Sequence, residues 1–191
     1  MIAVTVSRHS CTRSGRGWMT MLSDQVAPRY GTPLSRYVAS NLCAQISAHA
    51  SASLDGWAMI DVHVACVDAA RVSGHQPTVA YFHRSRLPTI TNDPIQLAPD
   101  FVALVLSPRD KAMAIDIAVE EYLHAGVALV WVVNPVVGTV RTAQPDGSGQ
   151  FLLSGDTVSA SPVLPRFTVT AADLFPPTEA GNKKRWHEVH A

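Results

Sequence analysis

The stretch from residue 101 to 135 constrains the fold more than any other part of the chain. It opens with FVALVL (101–106), which is apolar on both faces, as is typical of a central strand covered on both sides. VALVWVVNP (127–135) is a second buried strand, stopped by Asn134-Pro135. The residues between them follow a helical pattern, and Gly126 suits the left-handed position that ends a helix. The apolar stripe of that helix comprises Ile115, Ala118, Val119, Tyr122 and Leu123. Strand, helix and strand at this spacing predict a βαβ unit and an α/β fold.

The remaining segments extend this unit into a larger sheet. A helix is predicted over 32–50, with Thr32 as its N-cap and Pro33 at the first helical position. WAMIDVHVACV (57–67) alternates as a strand does, and PTVAYF (77–82) is a second strand.

The later segments are shorter. Ser107, with an acid three residues on at Asp110, resembles the start of a helix over about 110–125. Short strands are predicted over 137–142, 150–154 and 166–170, joined by turns such as Asp146-Gly147. We therefore expect a mixed central sheet flanked by helices.

Composition favours one soluble domain, over residues 21–175. Hydrophobic residues make up 47% of the chain, too many for a disordered one, and the formal net charge is +0. That balance predicts no extended basic face for nucleic acid, although a local patch remains open. No apolar run approaches about 20 residues, so no membrane span is predicted. The 3 cysteines form no CxxC pair and indicate reduced thiols in a cytoplasmic protein, with Cys43 and Cys66 in the core.

Both ends of the chain differ from the middle. Residues 1–20 are basic and predict a flexible extension; a transit peptide and a translation start at Met19 or Met21 are the alternatives. Residues 176–191 are polar and predict a tail, and the His187 and His190 pair within it lacks the zincin helix spacing.

Several blocks of the chain resemble one family. They are APDFVALVLSPRD, EEYLHAGVALVWVVNPVVGTV, the upstream PTVAYFHRSRLP and the downstream LPRFTVTAADLF. Over residues 28–175 the chain is similar to the Uma-type family of restriction endonucleases, within the PD-(D/E)XK nuclease superfamily. The resemblance implies a restriction-endonuclease-like α/β fold and a metal-dependent phosphodiester hydrolase. It also implies a cytosolic homodimer.

The same resemblance implies a catalytic apparatus. Carboxylates on two adjacent strands hold Mg²⁺, which prefers hard oxygen ligands, and a lysine stabilises charge on the attacked phosphate. In the family the pattern is Pro-Asp on one strand, Glu on the next strand shortly before LSP, and Lys on the following helix, four residues before a Tyr.

This chain departs from the pattern at each position. Thr78 stands where the family has Asp, Leu104 where it has Glu, and Ala118 where it has Lys. The usual superfamily lysine position falls at Leu106, which is also apolar. We therefore predict a degenerate site, with no intact catalytic residue, no metal ligand and no cofactor.

Asp100 is a possible surrogate for the missing glutamate, because it has the same strand parity as Leu104 and would face the same side of the sheet. It lies roughly 13 Å along the strand, too far to replace a glutamate directly. The more ordinary interpretation is a residue at the strand entry.

Other acidic and histidine side chains also occur near the predicted strands and helix. Asp61 and His63 alternate on one predicted strand face and lack a third metal ligand. Asp116, Glu120 and Glu121 lie off the apolar stripe of their helix and indicate a solvated face.

Three functions remain open from the sequence. The first is a catalytically inactive endonuclease-fold protein that binds a protein, such as a second copy of itself. The second is an active Mg²⁺-dependent DNA endonuclease with displaced ligands, such as Asp100, Asp61 or Asp116. The third is a nucleic-acid-binding protein that does not cleave, with basic arms at both ends of the chain. Fold alone does not choose among them.

Overall fold

The computed structural model describes residues 31–53, 55–64 and 76–177. The predicted extension at 1–20, most of the predicted tail, and Cys11 and Cys66 lie outside these ranges. The described helices are α1 (Pro33–Ser53) and α2 (Ala112–His124). The described strands, in chain order, are β1 (Gly56–Ile60), β2 (Val79–His83), β3 (Phe101–Val105), β4 (Leu129–Asn134), β5 (Thr139–Ala143), β6 (Phe151–Leu152), β7 (Thr157–Ser159) and β8 (Thr168–Thr170).

The described strands form a mixed sheet, as predicted. Strands β1 to β6 lie side by side in chain order, and β7 and β8 form a separate pair. β3 and β4 are parallel, whereas the other neighbours in the six-stranded sheet are antiparallel. The parallel pair is at the centre and joined by α2, which confirms the βαβ unit. Its strands are buried along nearly their whole length because helices cover both faces.

Helix α2 ends as the sequence predicts. Gly126 has a φ of 92°, and its N–H donates to the Leu123 carbonyl at 3.0 Å. The Val127 N–H donates to the Tyr122 carbonyl at 3.1 Å, which completes a Schellman motif. The predicted stripe of α2 packs on one sheet face with Val102, Leu104, Val130 and Val132. This face is called the α2 face below.

Helix α1 covers the opposite face. The Thr32 side chain accepts a hydrogen bond from the Ser35 N–H at 3.2 Å, which confirms the predicted cap. The buried side of α1, including Leu42 and the free thiol of Cys43, packs against alternate residues of β2 to β5. Trp131 lies at the centre of this larger core, and its ring meets Phe101 edge-on with centroids 5.2 Å apart.

Some predicted element boundaries were wrong. The strand predicted over 57–67 ends at Ile60, because Asp61 adopts a φ of 50° and leaves the extended conformation. Ser107 does not cap α2. Its N–H donates to the Asp110 carboxylate at 2.7 Å within a turn that precedes the helix. Lys111 is the N-cap residue. The strand predicted to begin at Val137 begins at Thr139, after a turn that contains Gly138 at a φ of 68°.

Candidate functional site

The fold brings the first two degenerate positions side by side. β2 and β3 are antiparallel, with Val79 paired to Ala103. Continuing this register by one residue sets Thr78 opposite Leu104, and directly opposed residues share a sheet face. The two positions to which the resemblance assigns Asp and Glu are therefore neighbours on the α2 face of this chain.

Thr78 holds the end of this strand pair together. It is buried, and its hydroxyl accepts a hydrogen bond from the backbone N–H of Val105 at 3.1 Å. The hydroxyl thus satisfies a backbone N–H near the end of β3. The threonine hydroxyl therefore has a structural role at the edge of this strand pair.

Leu104 and Ala118 meet in one apolar cluster. Leu104 is 1% exposed and Ala118 is 2% exposed, and both pack with Val119 and Tyr122. Leu106 is half-buried and packs against the same cluster. Leu104 and Ala118 are therefore part of the core between α2 and the sheet.

These residues do not fit a magnesium ion. Leu104 and Ala118 carry no oxygen or nitrogen in their side chains, and the single hydroxyl of Thr78 already accepts the Val105 N–H. Mg²⁺ requires several hard oxygen ligands in octahedral arrangement, usually including carboxylates. Within residues 31–53, 55–64 and 76–177, no three His, Cys, Asp or Glu side chains come together as a metal site would need.

We expect Thr78→Val to lower the free energy of unfolding by roughly 1–3 kcal/mol, because it leaves the buried Val105 N–H without an acceptor. Urea unfolding followed by circular dichroism measures this change. Thr78→Ser is the matched control: it keeps the hydroxyl and loses only a methyl group, for about 0.8 kcal/mol. A Thr78→Val variant as stable as the parent protein would show that the hydroxyl contributes nothing.

The surrogate acid Asp100 is bound on both carboxylate oxygens. One accepts the backbone N–H of His83 at 2.7 Å, and the other accepts Arg86 Nη1 at 2.6 Å. The Asp100 side chain is 16% exposed and lies just before β3, at the opposite end of the strand from Leu104. These contacts fasten the loop before β3 to the end of β2.

Two other candidate acids are also paired with arginines. Asp61 accepts a hydrogen bond from Arg36 on α1, and Asp116 accepts Arg141 Nη2 at 2.6 Å. Asp61 and His63 do not share a strand face, contrary to the sequence prediction, because β1 ends at Ile60. At either carboxylate a metal ion would compete with a guanidinium.

The other acids weighed from the sequence lie on the outer side of α2. Glu120 is exposed, and the predicted solvated face of α2 is confirmed there and at Asp116. Glu121 is half-buried. His187 and His190 lie outside the described residues.

Two buried groups with acidic protons are poorly suited to catalysis near neutral pH. Burial, together with the carboxylates of Asp55 and Asp100, raises the pKa of Tyr81 to about 12. The Tyr81 hydroxyl donates to the Asp55 carbonyl at 3.0 Å. Burial also raises the pKa of the Cys43 thiol, so the nucleophilic thiolate is disfavoured.

A cavity beside the degenerate positions was not predicted from the sequence. Its volume is about 460 Å³, and it is lined by residues that include Leu106, Asp116 and Arg141. The ion pair of Arg141 with Asp116 joins side chains 25 residues apart, and no sequence spacing indicates it. The sequence indicates this site only through an arginine on the polar side of a short predicted strand.

The mixed sheet, the crossover helix and the adjacent β2 and β3 positions define an α/β domain of the restriction-endonuclease-like class. The family model Uma2, described as "Putative restriction endonuclease", matches residues 25–172, and the chain belongs to this family. The resemblance inferred from the sequence blocks is thereby confirmed.

A solved structure agrees with the fold. The chain is similar to a protein from Anabaena variabilis ATCC 29413 described as "a putative nuclease belonging to DUF820". The TM-score is 0.67 and the identity 18%, over 76% of this chain and 82% of the other. No match was found among curated proteins.

Proposed function

We propose that this chain is a nuclease-fold protein that does not hydrolyse phosphodiester bonds and acts by binding. One observation carries the proposal: of Thr78, Leu104 and Ala118, which the resemblance assigns to the three family positions, Leu104 and Ala118 are apolar and buried in one cluster. Leu104 and Ala118 can neither ligate a metal nor stabilise a phosphate with charge. The hydroxyl of Thr78 is already used within the fold.

The displaced-ligand alternative is less well supported. Asp61, Asp100 and Asp116 are each held by a different arginine. The three pairs lie in different parts of the structure, since the arginines come from α1, from a 3-10 helix (Arg84–Arg86) that follows β2, and from β5. An active site would need several of these carboxylates released and brought together around one phosphate.

Cleavage assays test the proposal directly. Purified full-length protein is incubated with plasmid, linear DNA, single-stranded DNA and RNA, each with Mg²⁺ or Mn²⁺. We expect no more product than from two control proteins purified identically, Asp100→Asn and Asp116→Asn. Both controls remove a candidate metal ligand and retain a hydrogen-bond acceptor of similar shape. Activity that persists through purification and disappears in either control would overturn the proposal.

The binding partner in this proposal is a protein, and the favoured candidate is a second copy of the chain. The family resemblance supports a homo-oligomer in the cytoplasm. The formal net charge of +0 gives no general attraction for nucleic acid, although the basic segments near both ends of the chain keep that partner open. In the described part of the chain, neither helix combines the length and apolar character that a membrane span requires.

A further inference from the structure

The cavity of about 460 Å³ lies over the carboxyl-terminal ends of β3 and β4, on the α2 face. Its lower part is apolar, formed by Leu106, Ile115 and Val132. The turn before α2 and the turn between β4 and β5 form two of its sides. Polar and apolar side chains both line it, and its volume lies within the range of small-molecule sites.

Arg141 and Phe151 are placed together by the sheet register. Val132 on β4 pairs with Arg141 on β5, which pairs in turn with Phe151 on β6. Directly paired residues share a face, so this row of three side chains crosses the cavity. A guanidinium and an aromatic ring thus stand next to each other on a rigid surface.

The guanidinium of Arg141 keeps much of its binding capacity. Its partner in the described structure is Asp116, reached through Nη2 at 2.6 Å. The two side chains are 44% and 60% exposed, and exposed ion pairs of this kind stabilise a protein by about 0–1 kcal/mol. An arginine carries five N–H donors in a planar fork that matches carboxylate and phosphate oxygens. An entering anion can therefore bind this arginine at little cost.

Large apolar side chains stand exposed at the same cavity. Phe151 is 67% exposed, and Val136 and Val137 are 63% and 65% exposed. All three line the cavity. Exposed apolar groups gathered around a concavity are typical of a surface that a ligand covers.

Several charged groups lie in or next to the cavity. Arg141 lines it together with two carboxylates, Asp110 and Asp116, and Arg109 and Lys111 are the neighbours of Asp110 in the chain. The Asp110 carboxylate is partly satisfied by the Ser107 N–H. Helix α2 also begins here, and its amino-terminal end carries a partial positive charge.

We propose that this cavity binds a small amphipathic anion: a flat apolar ring that carries a carboxylate or a phosphate. The anionic group pairs with Arg141, and the ring lies against Phe151 and the two valines of the β4–β5 turn. Asp116 competes with the ligand for the guanidinium, so a ligand must bind Arg141 more favourably than Asp116 does. The assignment concerns a site on β4 to β6 and does not depend on whether the chain cleaves nucleic acid.

Calorimetric titration of the full-length protein tests the assignment with four probes. They are 1-naphthoate, 1-naphthyl phosphate, the neutral 1-naphthamide and inorganic phosphate. We expect at least one of the two ring-bearing anions to bind, and to bind at least tenfold more tightly than the amide and inorganic phosphate. A preference between the two anions identifies whether the natural group is a carboxylate or a phosphate. Equal binding of the amide or of inorganic phosphate, or no binding of either anion at millimolar concentration, would overturn the assignment.

Variants locate the binding. Arg141→Gln should weaken the preferred anion at least tenfold, whereas Asp116→Asn should bind it as tightly or several-fold more tightly. Arg109→Gln is the matched control, because it removes the same charge nearby from a side chain that does not line the cavity. Retained binding in Arg141→Gln, or equal losses in Arg141→Gln and Arg109→Gln, would contradict a direct contact. Thermal melts without ligand establish that each variant is folded.

Discussion

Leu104→Glu is expected to lower the free energy of unfolding by roughly 3–5 kcal/mol, as for other losses of packing or unpaired charges in a core. Leu104 is 1% exposed and surrounded by the apolar side chains of α2 and β4. Glutamate at this position loses the burial of the leucine and introduces a carboxylate without a cation. Restoring the family residue alone therefore damages the fold instead of restoring a metal site.

Thermal melts at several pH values and with Mg²⁺ separate the causes. Burial raises the pKa of an introduced carboxyl above its unfolded value, so the folded state binds its proton more tightly. The destabilisation should therefore be smaller below the unfolded pKa of about 4.3 and grow as the pH rises through the folded pKa. Mg²⁺ should leave the melting temperature unchanged, because Thr78 and Ala118 supply no further carboxylate.

Leu153→Glu is the matched control for this experiment. Leu153 is 57% exposed, so the same substitution there should change stability by about 0.5 kcal/mol or less. If Leu104→Glu melted like Leu153→Glu, position 104 would be hydrated and the family cleft would still be open. A Leu104→Glu protein stabilised by Mg²⁺ would also contradict a dry, packed site.

The central βαβ unit was predictable because its signals are local. FVALV and LVWVVN are apolar on both faces, and Gly126 occupies the left-handed position that few other residues tolerate. Each of these features depends on the identity of neighbouring residues. The position of Thr78 beside Leu104 was accessible only through the family pattern, since it requires the pairing of β2 with β3.

Contacts between distant segments explain where the sequence failed. Alternation continues past Ile60 in the sequence, yet Asp61 turns out of the strand and contacts Arg36 on α1. Ser107 and Asp110 have the spacing of a helix start, but the same hydrogen bond also stabilises a turn. The sequence pattern is the same in both cases, and tertiary packing selects between them.

The pairing of acids with arginines also affects which residues look available for catalysis. Isolated carboxylates in a sequence look available for metal binding, and Asp61, Asp100 and Asp116 were considered for that reason. Each is neutralised by a cation that lies 25, 14 or 25 residues away. In the described structure these acids form ion pairs that connect different elements.

Asp100→Ala is expected to lower the free energy of unfolding by roughly 2–3 kcal/mol, since hydrogen bonds to charged groups contribute about 1.5–3 kcal/mol. The substitution removes the acceptor for the His83 N–H and the partner of Arg86. The loop before β3 is then held to β2 mainly by the Asp100 N–H, which donates to the Tyr81 carbonyl at 2.9 Å.

Asp100→Asn and Arg86→Ala divide this loss between its causes. Asparagine keeps an acceptor for the His83 N–H and loses the charge, so it should cost about 1 kcal/mol. Arg86→Ala removes a pair in which the arginine is 42% exposed, and should also cost about 1 kcal/mol or less. Denaturant unfolding of the three variants, with and without Mg²⁺, measures the order of their stabilities.

A catalytic metal ligand behaves differently. Its removal commonly leaves the metal-free protein as stable or more stable, and abolishes any stabilisation by the metal. An Asp100→Ala protein more stable than the parent, with Mg²⁺ stabilisation seen only in the parent, would identify Asp100 as a metal ligand. The two hydrogen bonds of its carboxylate lead us to expect the opposite order, with Asp100→Ala the least stable of the three.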